Sequence, residues 1–384
     1  MKRLFFLFIV VIGGIFRMNA YAQNINETQL LEYYQNQKFL EAANYLKTNY
    51  IEPVTDVTAL SRLAYASQMA GKLTDAELYY KRLFDIDSNR LSVLNSLAGI
   101  NLRRSNYKKA NDYYQRIIKV DSTNFYIYTQ LARISMFTGD TLGYVNSLIK
   151  ANKLNPEDAD VASDLSNELV NRKKFANAQY ILSRAIAADS QNVVLLQSLL
   201  KLTHAQSKWP ETIATGLQLL QLGDGSYPTA IKLGQAYYKI KNYVCCLEVL
   251  AGMPEMQQNE TSFYYMGLSY KALKKYAKAI SYLEKAISDG ISPAIPTYYG
   301  EIANSFQETK RFKKAELNYQ KGLEFAERPL LLYSLATLYD ADLKNKAKAI
   351  KYYKKYLATN PPAMQQVYID YTKNRIGTLA AAAN

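Results

Sequence analysis

Apolar and small residues recur along the chain at an interval of 34 residues. Aromatic or large apolar residues lie three positions before and four positions after most of the small residues, which is the spacing of one face of an α-helix. The series of anchor residues contains Ala42, Ala76, Ala110, Tyr144, Ala178, Thr212 and Cys246, and continues at slightly irregular spacing with Ala279, Ala315 and Ala349. The pattern predicts a helix around each anchor.

A second apolar feature lies before most anchors, where Leu or Met precedes Ala or Gly. These pairs include Leu63-Ala64, Leu97-Ala98, Leu131-Ala132, Leu233-Gly234, Met266-Gly267 and Leu335-Ala336, the last with one residue inserted. Stretches rich in Asp, Asn and Ser separate the segments and offer side-chain oxygens to the free amides of a helix start. Each repeat therefore predicts two helices.

These residues resemble the tetratricopeptide repeat, whose Leu-Gly pair, aromatic residues and Ala lie on two antiparallel helices. The resemblance implies an all-α fold, namely a right-handed α-solenoid of about ten helix-turn-helix units over residues 23–362. Units are predicted to begin near Gln23, Val57, Leu91, Phe125, Ala159, Val193, Tyr227, Glu260, Pro296 and Pro329.

Irregular spacing late in the chain predicts a hinge at 253–259 or at 288–296. Residues 363–379 are predicted to form a capping helix on the last unit, and 380–384 a short tail. The apolar face of that helix is predicted to contain Met364, Val367, Tyr368, Tyr371 and Ile376.

Residues 1–22 have the pattern of a cleaved secretory signal peptide, with a basic start, an apolar run from Leu4 to Phe16 and the small-x-small motif Ala20-Tyr21-Ala22. The run would span only about 20 Å as a helix, whereas a bilayer core needs about 30 Å. Since Cys245 and Cys246 are the only cysteines, no cysteine lies near the cleavage site and lipidation there is not expected. We predict an exported protein, periplasmic or secreted, that is not a lipoprotein and has no transmembrane helix after cleavage.

The composition disfavours most enzymes. One histidine, His204, and two adjacent cysteines offer neither a His pair nor a cysteine-rich metal site. No phosphate loop, HExxH or GxSxG motif is present. We therefore predict no catalytic residues, no metal site and no cofactor. His204 is expected to be a hydrogen-bonding groove residue, and Cys246 a buried thiol. Most of the 34 tyrosines are interpreted as packing residues.

The resemblance places a binding groove along the first helix of each unit. The side chains at the groove positions are mainly amides and cations: Tyr65, Asn95, Arg103, Arg133, Asn167, Asn171, Gln197, Lys201, His204, Gln235, Lys239 and Tyr264. Amides satisfy both donors and acceptors of a peptide backbone, and Arg and Lys bind carboxylates. The predicted partner is therefore a neutral to acidic protein or peptide. The Lys-Asn-Asn-Lys-Arg set with which some relatives bind a carboxyl terminus is not found in register.

Positive charge is concentrated in the carboxyl-terminal half. Without residues 1–22 the chain has 44 basic and 33 acidic side chains, a net charge of +11, and residues 227–384 contribute 22 basic and 13 acidic side chains of these. Basic residues recur at matching places in successive units, which predicts a ridge on the convex side made of Lys274, Lys275, Lys278, Lys310, Arg311, Lys314, Lys348 and Lys355. A solvated face is one interpretation of this ridge, and contact with an anionic envelope surface is the other.

Two functions remain open from the sequence. The first is a non-catalytic protein-protein interaction scaffold in the cell envelope, because repeats use their apolar residues on their neighbours and leave an extended surface free. The alternative is an envelope module that binds anionic lipid or glycan through the basic ridge. Nucleic acid is not an expected partner, because the export signal argues against it. The Asn-, Lys- and Tyr-rich composition resembles that of exported Bacteroidota proteins.

Overall fold

The structure, a computed structural model, describes residues 25–290 and 292–381. The predicted signal peptide at 1–22 and the last three residues of the predicted tail lie outside this range. The chain separates into two compact units, one ending at Asn155 and the other beginning at Pro156. Both predicted hinge segments fall inside the second unit. No helix among the described residues is both long enough and apolar enough to cross a membrane.

The first unit contains eight helices that follow one another as antiparallel pairs. They are α1 (Glu27–Gln35), α2 (Phe39–Asn49), α3 (Val57–Met69), α4 (Leu73–Ile86), α5 (Leu91–Arg103), α6 (Tyr107–Val120), α7 (Phe125–Thr138) and α8 (Thr141–Leu154).

The second unit continues the same arrangement. Its helices are α9 (Ala159–Asn171), α10 (Phe175–Ala188), α11 (Val193–Ala205), α12 (Trp209–Gln221), α13 (Tyr227–Lys239), α14 (Tyr243–Ala251), α15 (Glu260–Ala272), α16 (Tyr276–Asp289), α17 (Ile295–Glu308), α18 (Phe312–Phe325), α19 (Pro329–Thr337), α20 (Lys346–Ala358) and α21 (Gln366–Ala381). The described residues contain no strand, so the all-α class is confirmed. The handedness and the exact number of helix-turn-helix repeats stay predictions.

The anchor residues lie where the two helices of a pair pack together. Ala110 and Cys246 are fully buried, and so is Thr212, whose hydroxyl donates a hydrogen bond to the Lys208 carbonyl at 2.8 Å. The Leu/Met-small pairs lie on the first helix and face the second helix, which contains the anchor residue. For example, a Cβ on Gly234 of α13 would come within 2.7 Å of Leu250 Cδ2 on α14. The small residues thus set how closely the helices approach.

Every turn inside a helix pair has one residue in the left-handed conformation. These residues recur with nearly the same period as the anchors: Gln37, Gly71, Ser105, Gly139, Lys173, Ser207, Lys241, Lys274, Lys310 and Lys344. In nine of these ten turns the following residue donates its N–H to the carbonyl five residues earlier, as from Lys72 to Ser67 and from Lys208 to Thr203, both at 2.9 Å. This is the Schellman closure of a helix, and it reverses the chain within a few residues.

Helix α21 packs on α20 with part of the predicted face, including Ile376. Thr372 and Leu379 are buried, and Tyr368 and Tyr371 contact the ring of Tyr333. The expectation was wrong for two residues, because Met364 is 89% exposed and Val367 is 79% exposed. Both precede the point at which the helix meets its neighbours.

Candidate functional site

A polar cleft of about 250 Å³ lies along α9, α11 and α13. Each of these is the first helix of its pair in the second unit. Asn167 donates from Nδ2 to Ser198 Oγ at 3.1 Å and to Ser163 Oγ at 3.4 Å, and the two hydroxyls are 2.7 Å apart. The other amide atom of Asn167, Oδ1, is buried without a hydrogen-bond partner. A polar atom in this condition is stabilised when a ligand or water supplies a donor.

Two lysines give this cleft its charge. Lys201 and Lys232 both line it, and neither forms an ion pair with any described residue. Burial lowers the pKa of Lys232, and the charge of Lys201 lowers it further. Two close cations without counter-ions favour an anionic group in the cleft.

The remaining predicted groove residues around this cleft already have partners. Gln197 donates to Asp224 Oδ2 at 2.9 Å, and Asp224 also accepts from Thr229 at 2.6 Å. His204 Nε2 lies 2.8 Å from Gln235 Oε1, and its ring packs at a steep angle against the Trp209 ring, 5.6 Å away between centroids. His204 is thus a hydrogen-bonding residue beside the cleft.

A second cleft, of about 500 Å³, lies along α3, α5 and α7 of the first unit. The predicted groove residues Asn95, Arg103 and Arg133 all line it. Arg133 stands over the ring of Phe137 at 5.7 Å, and that ring stacks on Tyr107 at 5.5 Å between centroids. Within the described residues neither arginine has an acidic partner. This cleft therefore combines unneutralised guanidinium groups with an aromatic surface.

Six predicted groove residues, among them His204 and Gln235, do not line either cleft. Tyr65 packs edge-on against Tyr34 and Phe39, and Tyr264 packs against Tyr298 at 4.8 Å between centroids. Asn171 and Lys239 are exposed at the ends of their helices. Tyr264 is a packing residue, and burial raises its pKa.

The side chains of the predicted ridge are all exposed: Lys274, Lys275, Lys278, Lys310, Arg311, Lys314, Lys348 and Lys355. Two of them are neutralised, since Lys348 pairs with Glu316 at 3.1 Å and Lys355 with Glu327 at 3.6 Å. The other six have no acidic partner in the described part of the chain. Lys274 and Lys310 occupy the left-handed turn position.

The structure adds residues that were not predicted from the sequence. Lys232, Ser163 and Ser198 line the cleft of the second unit, but they were not read as groove positions. Lys232 follows Pro228 by four residues on α13, so the two lie on one helix face. Reading the whole face of each first helix would have found the lysine.

The adjacent cysteines differ in environment. Cys246 is fully buried and accepts a hydrogen bond from Ser269 at 3.3 Å, and burial raises the pKa of its thiol to about 11. Cys245 is half-buried. The expectation of a buried thiol at Cys246 agrees with this position.

Comparisons with known proteins identify the repeat. Models of the tetratricopeptide repeat match residues 261–289 and 330–362. No curated protein matches the chain in sequence.

Several solved structures are similar in fold. A tetratricopeptide repeat protein from Parabacteroides merdae is 14% identical over 65% of this chain and 98% of its own, with a TM-score of 0.43. YrrB, a TPR protein with an unusual peptide-binding site, is 16% identical over 49% and 96%, with a TM-score of 0.44. Yeast Tom70 is 13% identical over 90% and 94%, with a TM-score of 0.40.

The segment at 261–289 covers nearly all of α15 and α16, and the segment at 330–362 covers most of α19 and all of α20. Each match therefore falls on one antiparallel helix pair of the kind that recurs along the described residues, and the chain contains tetratricopeptide repeats in these two segments.

Proposed function

We propose that the protein is a non-catalytic interaction scaffold of the cell envelope that binds an extended, neutral to acidic segment of a partner protein along its first helices. Tetratricopeptide repeat proteins bind protein or peptide partners, which supports the general class. The envelope location rests on the signal pattern of residues 1–22.

The observation that carries the proposal is the cationic and amide lining of both clefts without neutralising acids. Arg103 and Arg133 line one cleft and Lys201 and Lys232 the other. A peptide's backbone would satisfy amides such as Asn95 and Asn167, and its acidic side chains would neutralise the cations. An extended ligand is favoured because the residues are distributed over successive helices rather than gathered in one enclosed site.

The test is affinity capture from a native envelope extract with mature protein, compared between two charge-reversed variants. One variant has Arg133→Glu and Lys201→Glu in the clefts, and the matched control has Lys275→Glu and Lys314→Glu on the ridge. The two variants have equal net charge, so non-specific electrostatics affects them equally.

We expect a discrete set of proteins, identified by mass spectrometry, to be retained by the parent and the ridge variant and to fall by about tenfold or more in the cleft variant. Equal retention by the two variants, or no discrete set, would contradict the proposal. Circular dichroism of each variant checks that the helices are intact.

The ridge supports a second candidate, binding of an anionic envelope surface such as lipid or glycan. Six exposed cations without acidic partners, among them Lys274, Lys310 and Arg311, carry this candidate. Vesicles of phosphatidylglycerol mixed with phosphatidylcholine test it at low and high salt. If the ridge binds lipid, vesicle binding should be lost in the ridge variant and kept in the cleft variant. Binding should also be weaker at high salt, because salt screens the attraction between the ridge and the anionic surface.

A further inference from the structure

A pocket of about 700 Å³ lies between α17, α19 and α21 of the second unit, away from both polar clefts. Its size is that of sites that bury most of a ligand rather than a single water. Ser334, whose side chain is small, is among its lining residues. None of the predicted groove residues lines it.

One side of this pocket is apolar and aromatic, and polar side chains such as Thr297, Asn304 and Gln365 line the rest. Leu331, Tyr333 and Tyr368 line it, and the rings of Tyr333 and Tyr368 are 4.8 Å apart between centroids. Leu330, at 48% exposed, and Tyr368, at 42% exposed, present apolar surface to it. Exposed rings next to an open cavity favour a ligand that brings its own apolar surface.

The wall formed by α21 is fixed in place. The Arg375 side chain binds Asp340 through two hydrogen bonds of 2.7 and 2.8 Å, and Thr372 and Leu379 are buried against the neighbouring helices. Tyr368 belongs to the same helix and is held against Tyr333. The pocket is therefore preformed, which lowers the entropy lost on binding.

One charge in the pocket is not neutralised. Lys271 and Glu301 pair at 2.6 Å and cancel each other. Arg328 is exposed at the lining, donates only to the Pro293 carbonyl at 3.1 Å, and has no acidic partner among the described residues. A guanidinium group in this position binds a carboxylate well because its donors match both oxygens.

We propose that this pocket binds a segment of a partner protein in which a bulky apolar side chain stands next to an acidic group. The apolar side chain would lie against Tyr333, Tyr368 and Leu331, and the carboxylate would pair with Arg328. The proposal does not require the polar clefts to bind peptide, because it rests on different residues.

The test uses a phage-displayed library of random linear peptides selected on the immobilised full chain. Enriched peptides are then synthesised with a fluorophore, and their affinities are measured by fluorescence anisotropy. Two pocket variants change the cavity in opposite ways: Ser334→Phe fills it, and Tyr368→Ala removes a wall. Arg328→Gln removes the charge. The matched controls are Ser281→Phe on the exposed face of α16 and Arg311→Gln outside the pocket.

We expect peptides in which Phe, Trp or Leu neighbours Asp or Glu. Their affinity should fall by about tenfold or more in both cavity variants and by about threefold to tenfold in Arg328→Gln, while the two control variants bind as the parent does. The variant with Arg133→Glu and Lys201→Glu should bind them normally, which separates this proposal from the function proposed for the clefts.

Two results would overturn the proposal. One is the absence of any enriched motif, or a motif whose peptides bind Ser334→Phe as tightly as the parent. The other is concentration-dependent dimerisation in light scattering that Tyr368→Ala abolishes, because the pocket would then be occupied by a second copy of this chain.

Discussion

Arg375 on α21 binds the carboxylate of Asp340 with both Nε and Nη2, at 2.7 and 2.8 Å. Asp340 lies in a π-helical turn, Leu338–Asp342, between α19 and α20, and its side chain is only 4% exposed. Tyr353 adds a third donor at 3.3 Å. The hydrogen bonds from Arg375 hold the pKa of Asp340 below its usual range. One buried carboxylate thus joins α21 to the last helix pair.

The pair predicts an asymmetric response to mutation. Arg375→Gln leaves a buried carboxylate without its cation, whereas Asp340→Asn leaves an arginine that can reach water, so the first change should loosen α21 more. Amide hydrogen exchange across α21 should speed up on the order of tenfold in Arg375→Gln and less in Asp340→Asn. Since the two residues act together, the double variant should exchange no faster than the sum of the single effects predicts. Unchanged exchange in Arg375→Gln would show that packing alone holds the helix.

A second prediction concerns the close approach of the helices at Gly234. A Cβ there meets Leu250 Cδ2 at 2.7 Å, so Gly234→Ala should overpack the α13–α14 contact and cost about 1–3 kcal/mol. Leu250→Val should recover part of the loss, because it shortens the side chain that the new methyl group meets. Urea unfolding followed by circular dichroism measures both. The matched control is Gly99→Ala, since a Cβ on Gly99 meets no atom within 4 Å.

A third prediction uses the left-handed residue of the helix-pair turns. Gly139 has φ +75°, and a Cβ added to it would meet no atom within 4 Å, so the cost of Gly139→Ala, about 1 kcal/mol, comes from the backbone alone. Lys310 occupies the same position with φ +58°, and Lys310→Gly should therefore stabilise the protein by a few tenths to about 1 kcal/mol. The control is Lys314→Gly in the helix that follows, which should destabilise. Urea unfolding should show a higher free energy of unfolding for Lys310→Gly and a lower one for Lys314→Gly. Changes of the same sign would contradict the prediction.

The repeat was readable from the sequence because its period is carried by apolar residues that must pack at every pair. The left-handed turn was missed because Lys, Ser, Gln and Gly all occupy it, so no single residue type marks it. The inserted residue near Leu335-Ala336 was visible in the sequence, but the conformation that accommodates it was not predicted. The structure accommodates it in the π-helical turn at Leu338–Asp342.

The candidate sites were less predictable than the fold. Arg103 and Arg133 were found because they are first-helix residues at expected places, but the pocket lined by Ser334 and Tyr368 was not. It forms only where α21 lies beside a space that α17 and α19 also line, an arrangement that no single repeat encodes. Its walls also come from tyrosines, which the sequence pattern marks as packing residues.

The last prediction concerns the charge of His204. Burial lowers its pKa, the charges of Lys232 and Lys239 lower it further, and the hydrogen bond with Gln235 opposes them. The unfolded chain, with a histidine pKa of about 6.5, then binds the proton more readily than the folded chain.

Between the pKa of His204 in the folded protein and about 6.5, the free energy of unfolding should therefore fall as the pH falls. The slope should be only a fraction of the limiting value of about 1.4 kcal/mol per pH unit, because the imidazole is half-buried and partly screened by water. His204 is the only histidine in the sequence, so in protein prepared without a histidine tag its Cε1 proton gives a single titrating NMR signal. We expect a midpoint below 6.5 and, in His204→Gln, a smaller loss of stability between pH 7 and pH 5. A midpoint at or above 6.5 would mean that burial does not control the charge of the imidazole in the folded protein.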